Sequence, residues 1–212
     1  TASDGTNTAD QTIKVQVTDA NENSPSFTSE ATFTAAENQT AIGSVTASDL
    51  EGDAVTFTVS GAELAITSAG VLTFASTPDY ETKSSYTATV TATDGANPTT
   101  QDITVNVTNV NEAPVFTSSA TFTAAENQTA IGSVTATDGD GDNVTFTVSG
   151  SELAITSAGV LTFASAPNYE TKSSYTATVT ASDGTNSTSQ EITVNVTDVN
   201  DVPVFTSSNT FS

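Results

Sequence analysis

The sequence predicts an all-β protein built of tandem seven-stranded, Greek-key β-sandwiches of immunoglobulin-like type. Three observations predict it. The first is an internal repeat: residues 25–113 realign without a gap on 114–202, an offset of 89 residues, and seventeen of the aligned positions differ. The strings TFTAAENQTAIGSVTA, ELAITSAGVLTFAS and YETKSSYTATVTA recur unchanged. The second is alternation of apolar residues with Thr and Ser, which turns one face of each segment to a core and the other to water. The third is that no apolar pattern holds helical spacing beyond one turn. A period of 89 residues exceeds the roughly 20–45 of solenoid coils, whose units cannot bury a core alone, and suits a self-contained sandwich.

The strands of one copy follow in order. Phe27–Ala35 and Ala41–Ala47 open the repeat. Val55, Phe57 and Val59 then alternate with hydroxyls, followed by Leu64 and Ile66. Val71–Phe74 comes after the Ser68-Ala69-Gly70 turn. Tyr86, Ala88, Val90 and Ala92 mark the sixth strand; Asp94-Gly95-Ala96-Asn97 turns the chain into the seventh, carried by Ile103, Val105 and Val107. Phe27, Phe33, Phe57, Phe74, Tyr80 and Tyr86 are the expected large core members. The repeat divides the chain into the end of a copy (1–24), two complete copies (25–113 and 114–202) and the first strand of another (203–212). Residues 1–24 match the tail around 91–113 and PVFTSS at 203–208 repeats 114–119, so the array is expected to run past both ends of the sequence.

Composition excludes several functions. Three basic residues, Lys14, Lys83 and Lys172, face 25 acidic ones, for a formal net charge of −22. Nucleic-acid binding needs the opposite balance, because Lys and Arg must neutralise phosphates. The chain has no Cys and no His, which removes disulfides, thiol chemistry and the commonest general base. Ser and Thr abound but have no base to activate them, so no enzyme is expected. No apolar run approaches the roughly 18–20 residues of a membrane span.

The acids gather in predicted loops: Glu37; Asp49, Glu51 and Asp53; Asp79 and Glu81; Asp94; and the connector at Glu112. Clustered carboxylates repel one another unless they share a cation, and hard cations such as calcium take six to eight oxygen ligands. By itself this pattern suits a calcium site and an acidic solvated surface equally. The run DGDGDN (138–143) resembles the start of an EF-hand loop but lacks that loop's sixth-position Gly and twelfth-position Glu. Lys83 and Lys172 read as solvated lysines beside Glu81 and Glu170. Asn38, Asn127 and Asn186, among others, stand in N-x-S/T sequons, common by chance in so Thr-rich a chain.

Five motifs in order resemble the cadherin repeat family over the whole chain. DANENSPSF (19–27) is similar to the family's connector, AAEN (35–38) to its first-strand Glu motif, and TASDLEGD (46–53) with TATDGDGD (135–142) to its paired acids. GVLTFASTPDYE (70–81) resembles the stretch ending in its DxE motif, and TATDG (91–95) its single Asp. The resemblance implies three calcium ions at the one complete joint between repeats, with fewer or weaker ions expected at the two truncated ends. It assigns Glu37, Asp79 and Glu81, with Asn111, Glu112, Asp138, Asp140 and Asp183, to the complete joint. It assigns Asn21, Glu22, Asp49, Glu51 and Asp94 to an N-terminal half-site, and Glu126, Glu170, Asn200 and Asp201 to a C-terminal one.

The sequence departs from the family at three places. Asn168 stands where the DxE motif has Asp, Asn109 replaces the connector's leading Asp, and the loop after the paired acids is short, leaving Asp142 and Asn143 as candidates for a later ligand. The connectors are closest to bacterial surface cadherin-like repeats. The expected function is a calcium-rigidified spacer in an elongated rod, part of a large extracellular or cell-surface adhesin, with neighbouring repeats as partners. The alternatives are a fibre or sheath built from copies of the chain, and a carbohydrate- or protein-binding module.

Overall fold

A computed structural model describes residues 1–17 and 20–204. Asp19 of the first connector and all but Pro203 and Val204 of the partial last copy lie outside the described residues. The chain divides into two compact units, one ending at Asn109 and the other beginning at Val110. No helix is present among the described residues, and none is therefore long and apolar enough to cross a membrane.

A short hairpin of β1 (Ala2–Ser3) and β2 (Thr8–Ala9) precedes the first sandwich. The sandwich comprises β3 (Ser26–Phe27), β4 (Thr32–Ala36), β5 (Ala41–Ser44), β6 (Ala47–Ser48), β7 (Thr56–Val59), β8 (Leu64–Ile66), β9 (Val71–Phe74), β10 (Ser85–Thr93) and β11 (Pro98–Thr108). One sheet has the order β4-β11-β10-β7; the other face is built from β5-β9-β8 and the pair β3-β6. The second unit repeats this as β12 (Val115–Phe116), β13 (Thr121–Ala125), β14 (Ala130–Ser133), β15 (Ala136–Thr137), β16 (Thr145–Val148), β17 (Leu153–Ile155), β18 (Val160–Phe163), β19 (Ser174–Ser182) and β20 (Ser187–Thr197). Its sheets have the equivalent order.

The expected first two strands are each interrupted. Phe27–Ala35 splits because the chain changes sheets: β3 pairs with β6, whereas β4 runs parallel to β11, from Thr32 opposite Thr104 to Ala36 opposite Thr108. Ala41–Ala47 breaks because the chain changes partners: Val45 N still bonds Gly70 O at 2.8 Å beside β9, whereas Ala47 and Ser48 pair with β3. The other five strands form where the alternation places them.

Val45, Leu72, Val90, Ile103 and Val105 are completely or almost completely buried at the centre of the first core, and Val134, Leu161, Val179, Ile192 and Val194 at the centre of the second. Phe74 meets Tyr86 edge-on with ring centroids 5.1 Å apart. Tyr80 was an expected core member but lies exposed, as does Tyr169, because its loop carries it to the end of the sandwich. The lysines also differ from expectation. Lys83 Nζ lies 2.5 Å from Glu63 Oε1 and over the Tyr86 ring, and Lys172 Nζ lies 2.6 Å from Glu152 Oε1 and over Tyr175. Their ion pairs therefore form along the sandwich wall, away from the loop acids.

Gly70 and Gly159 sit at φ 87° and 86°, and a Cβ there would lie 2.2 Å from the carbonyl oxygens of Val45 and Val134. Gly159→Ala is expected to destabilise its unit by about 2 kcal/mol or more, since it combines left-handed strain with a backbone clash. Urea unfolding of the variant checks this; an unchanged midpoint would show that the turn yields freely.

Candidate metal centres at the ends of the units

The first end of each sandwich carries the paired-acid loop and the single-Asp turn, and both are built in the same way. Asp49 Oδ1 accepts from the N–H groups of Glu51 (2.9 Å) and Asp53 (3.3 Å). Asp138 Oδ1 does the same for Asp140 (3.1 Å) and Asp142 (3.3 Å). One oxygen of each Asp thus closes its own loop. The other, Oδ2 of Asp49 and of Asp138, is buried with no hydrogen-bond partner. A buried carboxylate oxygen left unpaired costs free energy unless something occupies it.

The single Asp follows the same rule. Asp94 Oδ1 accepts from Ala96 N and Asn97 N, both at 2.7 Å, and Asp183 Oδ1 from Thr185 N (2.5 Å) and Asn186 N (2.6 Å). Asp183 Oδ2 accepts from the Asn111 amide at 2.9 Å. That amide, and then the Thr185 N–H, hold the Asp183 carboxyl below the usual range; the Asn97 N–H does the same for Asp94. Both groups stay ionised into mildly acidic solution, and the stability they lend disappears only as pH falls through their lowered folded-state values.

The connector residues dock on this end. Asn186 Nδ2 donates to Asn111 O at 2.7 Å, and Glu112 N donates to Asp140 Oδ2 at 3.0 Å. In the first unit Asn97 Nδ2 donates to Asn21 Oδ1 at 2.7 Å, while Asn23 bonds Glu51 through both its backbone N–H and its side-chain amide. Glu22 is exposed beside them. Asp49, Glu51 and Asp53 each place a carboxylate oxygen within 4.8 Å of the others. Of the candidates for a later ligand, Asp142 gives its N–H to Asp138 Oδ1, and both Asp142 and Asn143 are exposed.

The opposite end centres on one buried Glu. β4 runs parallel to β11 as far as Ala36, and Glu37 N adds one further bond to Thr108 O at 3.1 Å. Asn38 then turns the chain at φ 61°, a left-handed conformation that Asn tolerates better than most residues. Glu37 is 3 % exposed, and its Oε2 accepts from Tyr80 N at 2.7 Å. Carboxylate oxygens of Glu37, Asp79 and Glu81 lie within 4.8 Å of one another. In the second unit Glu126, 2 % exposed, accepts from Tyr169 N and Val199 N, both at 2.8 Å, and groups with Glu170 and Asp201 in the same way. The Val199 N–H, and then that of Tyr169, hold Glu126 in its ionised form. Asn200 lies exposed, its amide turned to Asp201 O at 3.2 Å.

Asn168 keeps half the task of the Asp it replaces. Its Oδ1 accepts from Thr171 N at 2.8 Å, as Asp79 Oδ1 accepts from Thr82 N at 3.0 Å, but it brings no charge. In the sequence, Asn97 reads as a turn residue and Asn186 and Asn127 as sequons. All three reach site residues, the last through Asn127 Nδ2 to Asp201 Oδ1 at 3.3 Å. The available signal was their fixed offset from an acid: Asn three residues after the single Asp, and directly after the buried Glu.

Every candidate ligand atom is oxygen, most of it anionic, which suits a hard divalent cation and not a thiolate- or imidazole-seeking metal. The unpartnered Oδ2 atoms of Asp49 and Asp138 fit such an ion.

A family described as Bacterial Ig domain matches residues 111–197. The human cadherin EGF LAG seven-pass G-type receptor 2 is 33% identical over 223 residues, an alignment that takes in 92% of this chain and 8% of the receptor. The chain thus spans less than a tenth of that relative. Among solved structures, human protocadherin-24 EC1-2 aligns with a TM-score of 0.60 at 20% identity, over 84% of this chain and 100% of that one. Mouse cadherin-23 EC22-24 aligns with 0.56 at 25% identity, over 85% of this chain and 68% of that one. By fold and by sequence likeness, this chain is a tandem array of cadherin-like repeats.

Proposed function

We propose that the chain is a calcium-rigidified spacer of a large extracellular adhesin, with ions bound where successive repeats join. The observation that carries this reading is the division of labour within Asp49 and Asp138: one oxygen closes the loop, and the other is buried and unpartnered. A cation seated beside these oxygens would satisfy them. Glu37, Asp79, Glu81, Asn111, Glu112, Asp138, Asp140 and Asp183 form the ligand set of the complete joint in this reading. Copies 25–113 and 114–202 are its domains; Asn21, Glu22, Asp49, Glu51 and Asp94 form one half-site, and Glu126, Glu170, Asn200 and Asp201 the other.

At extracellular sites calcium dissociation constants are on the order of 0.1–1 mM. Free calcium tenfold above that stabilises each occupied site by about 1.4 kcal/mol, enough when several ions share one joint to hold a single geometry. The function proposed is mechanical rather than catalytic. The cadherin relatives support a place at the cell surface.

Small-angle scattering with calcium and with chelator tests the proposal. The maximum dimension should be well defined with calcium and should broaden and shorten without it. The same profile in both conditions would sink the mechanism.

A further inference from the structure

The second unit grips both of its connectors with its own side chains. At the first end, Asp183 accepts from the Asn111 amide, Asn186 donates to Asn111 O, and Asp140 accepts from Glu112 N. At the far end, the parallel ladder of β13 and β20 stops at Ala125 opposite Thr197. Glu126 N makes one more bond, to Thr197 O at 3.1 Å, and the chain then turns away at Asn127, φ 64°. No backbone carbonyl of that strand remains for Val199. The Glu126 carboxylate takes its place, one oxygen accepting from Val199 N and the other from Tyr169 N.

The two grips fall on adjacent connector positions. Val199 precedes Asn200 and Asp201, which are the repeat counterparts of Asn111 and Glu112. We infer that the second unit carries an ion-independent clamp at each end, one fixing Asn111 and Glu112 and the other fixing Val199. The far clamp continues the sheet by substituting a side chain for a strand, and the near clamp captures the next two residues. A connector restricted in this way presents its Asn and acid to the first end before any cation arrives, which lowers the ordering entropy that a cation must overcome. The inference rests on protein–protein hydrogen bonds, and it stands or falls separately from the calcium reading.

Amide hydrogen exchange of the whole chain in chelator is the test. Tyr169, Val199 and Glu112 should exchange at least about tenfold more slowly than Asn200 and Asp201, since opening must break a bond first. Glu112 against Asp201 is the sharpest comparison, because they hold the same connector position and the described residues after Asp201 offer no counterpart of Asp140. Glu126→Ala should release Tyr169 and Val199 while Glu112 and the core amides of Ile192 and Val194 keep their protection. If that variant loses core protection, Glu126→Gln replaces it. With one acceptor oxygen in place of two, it should release at least one of the pair. Wild-type Val199 exchanging as fast as Asn200, or both amides staying protected in a folded Glu126 variant, would overturn the clamp. Adding calcium to the same samples reads the ion's effect independently.

Discussion

Asp138→Asn together with Asp140→Asn is expected to abolish calcium uptake at the first end of the second unit, leaving the fold intact. Asn retains a side-chain oxygen at the position from which Asp138 Oδ1 accepts the Asp140 and Asp142 N–H groups, so the loop can still close. What disappears is charge, and with it the anionic character of the buried Asp138 Oδ2. Changes one shell further out already cost metal sites roughly tenfold to a hundredfold in affinity, so removal of two ligand charges should cost at least that. Calorimetric titration of the wild type and the double variant, with circular dichroism to confirm the fold, measures the difference. Equal calcium stoichiometry and affinity in the two proteins would remove these residues from the ligand set.

Leu161→Ala should produce the largest loss of stability of any single truncation in the second unit. Leu161 is fully buried on β18, between β14 and β17, at the centre of the core. Its truncation removes apolar contact and leaves a cavity that the two sheets cannot close, at a cost of about 3–5 kcal/mol. Domains are stable by only about 5–15 kcal/mol in total. The first unit is an internal reference, because Leu72 remains buried at the equivalent position. Denaturation of the variant should therefore separate into two transitions, of which only one has moved. A single transition at the wild-type midpoint would show that the core repacks around the missing side chain.

Local pattern and distant pairing differ in how far the sequence alone makes them legible. Alternation is local: Val105 and Val107 turn inward and Asn106 and Thr108 outward, whatever the neighbouring strands are. A strand also needs partners, and β11 has β4 and β10 on its two sides. Alternation specifies which face is apolar; pairing decides whether there is a sheet.

The sequence by itself determined the all-β class, the 89-residue repeat and the placing of acids in loops, because periodicity and composition are properties of short windows. Only the tertiary structure decided which atoms of those acids are available. Glu37 meets the N–H of Tyr80, 43 residues away, Asp183 meets Asn111 at 72, and Glu126 meets Val199 at 73. Such partners are brought together by closure of the sandwich rather than by any local rule, and this is why the roles of Asn97, Asn127 and Asn186 went unread. It is also why the carboxylates of Asp49 and Asp138 divide, once folded, into an oxygen that holds the loop and a buried oxygen with no hydrogen-bond partner.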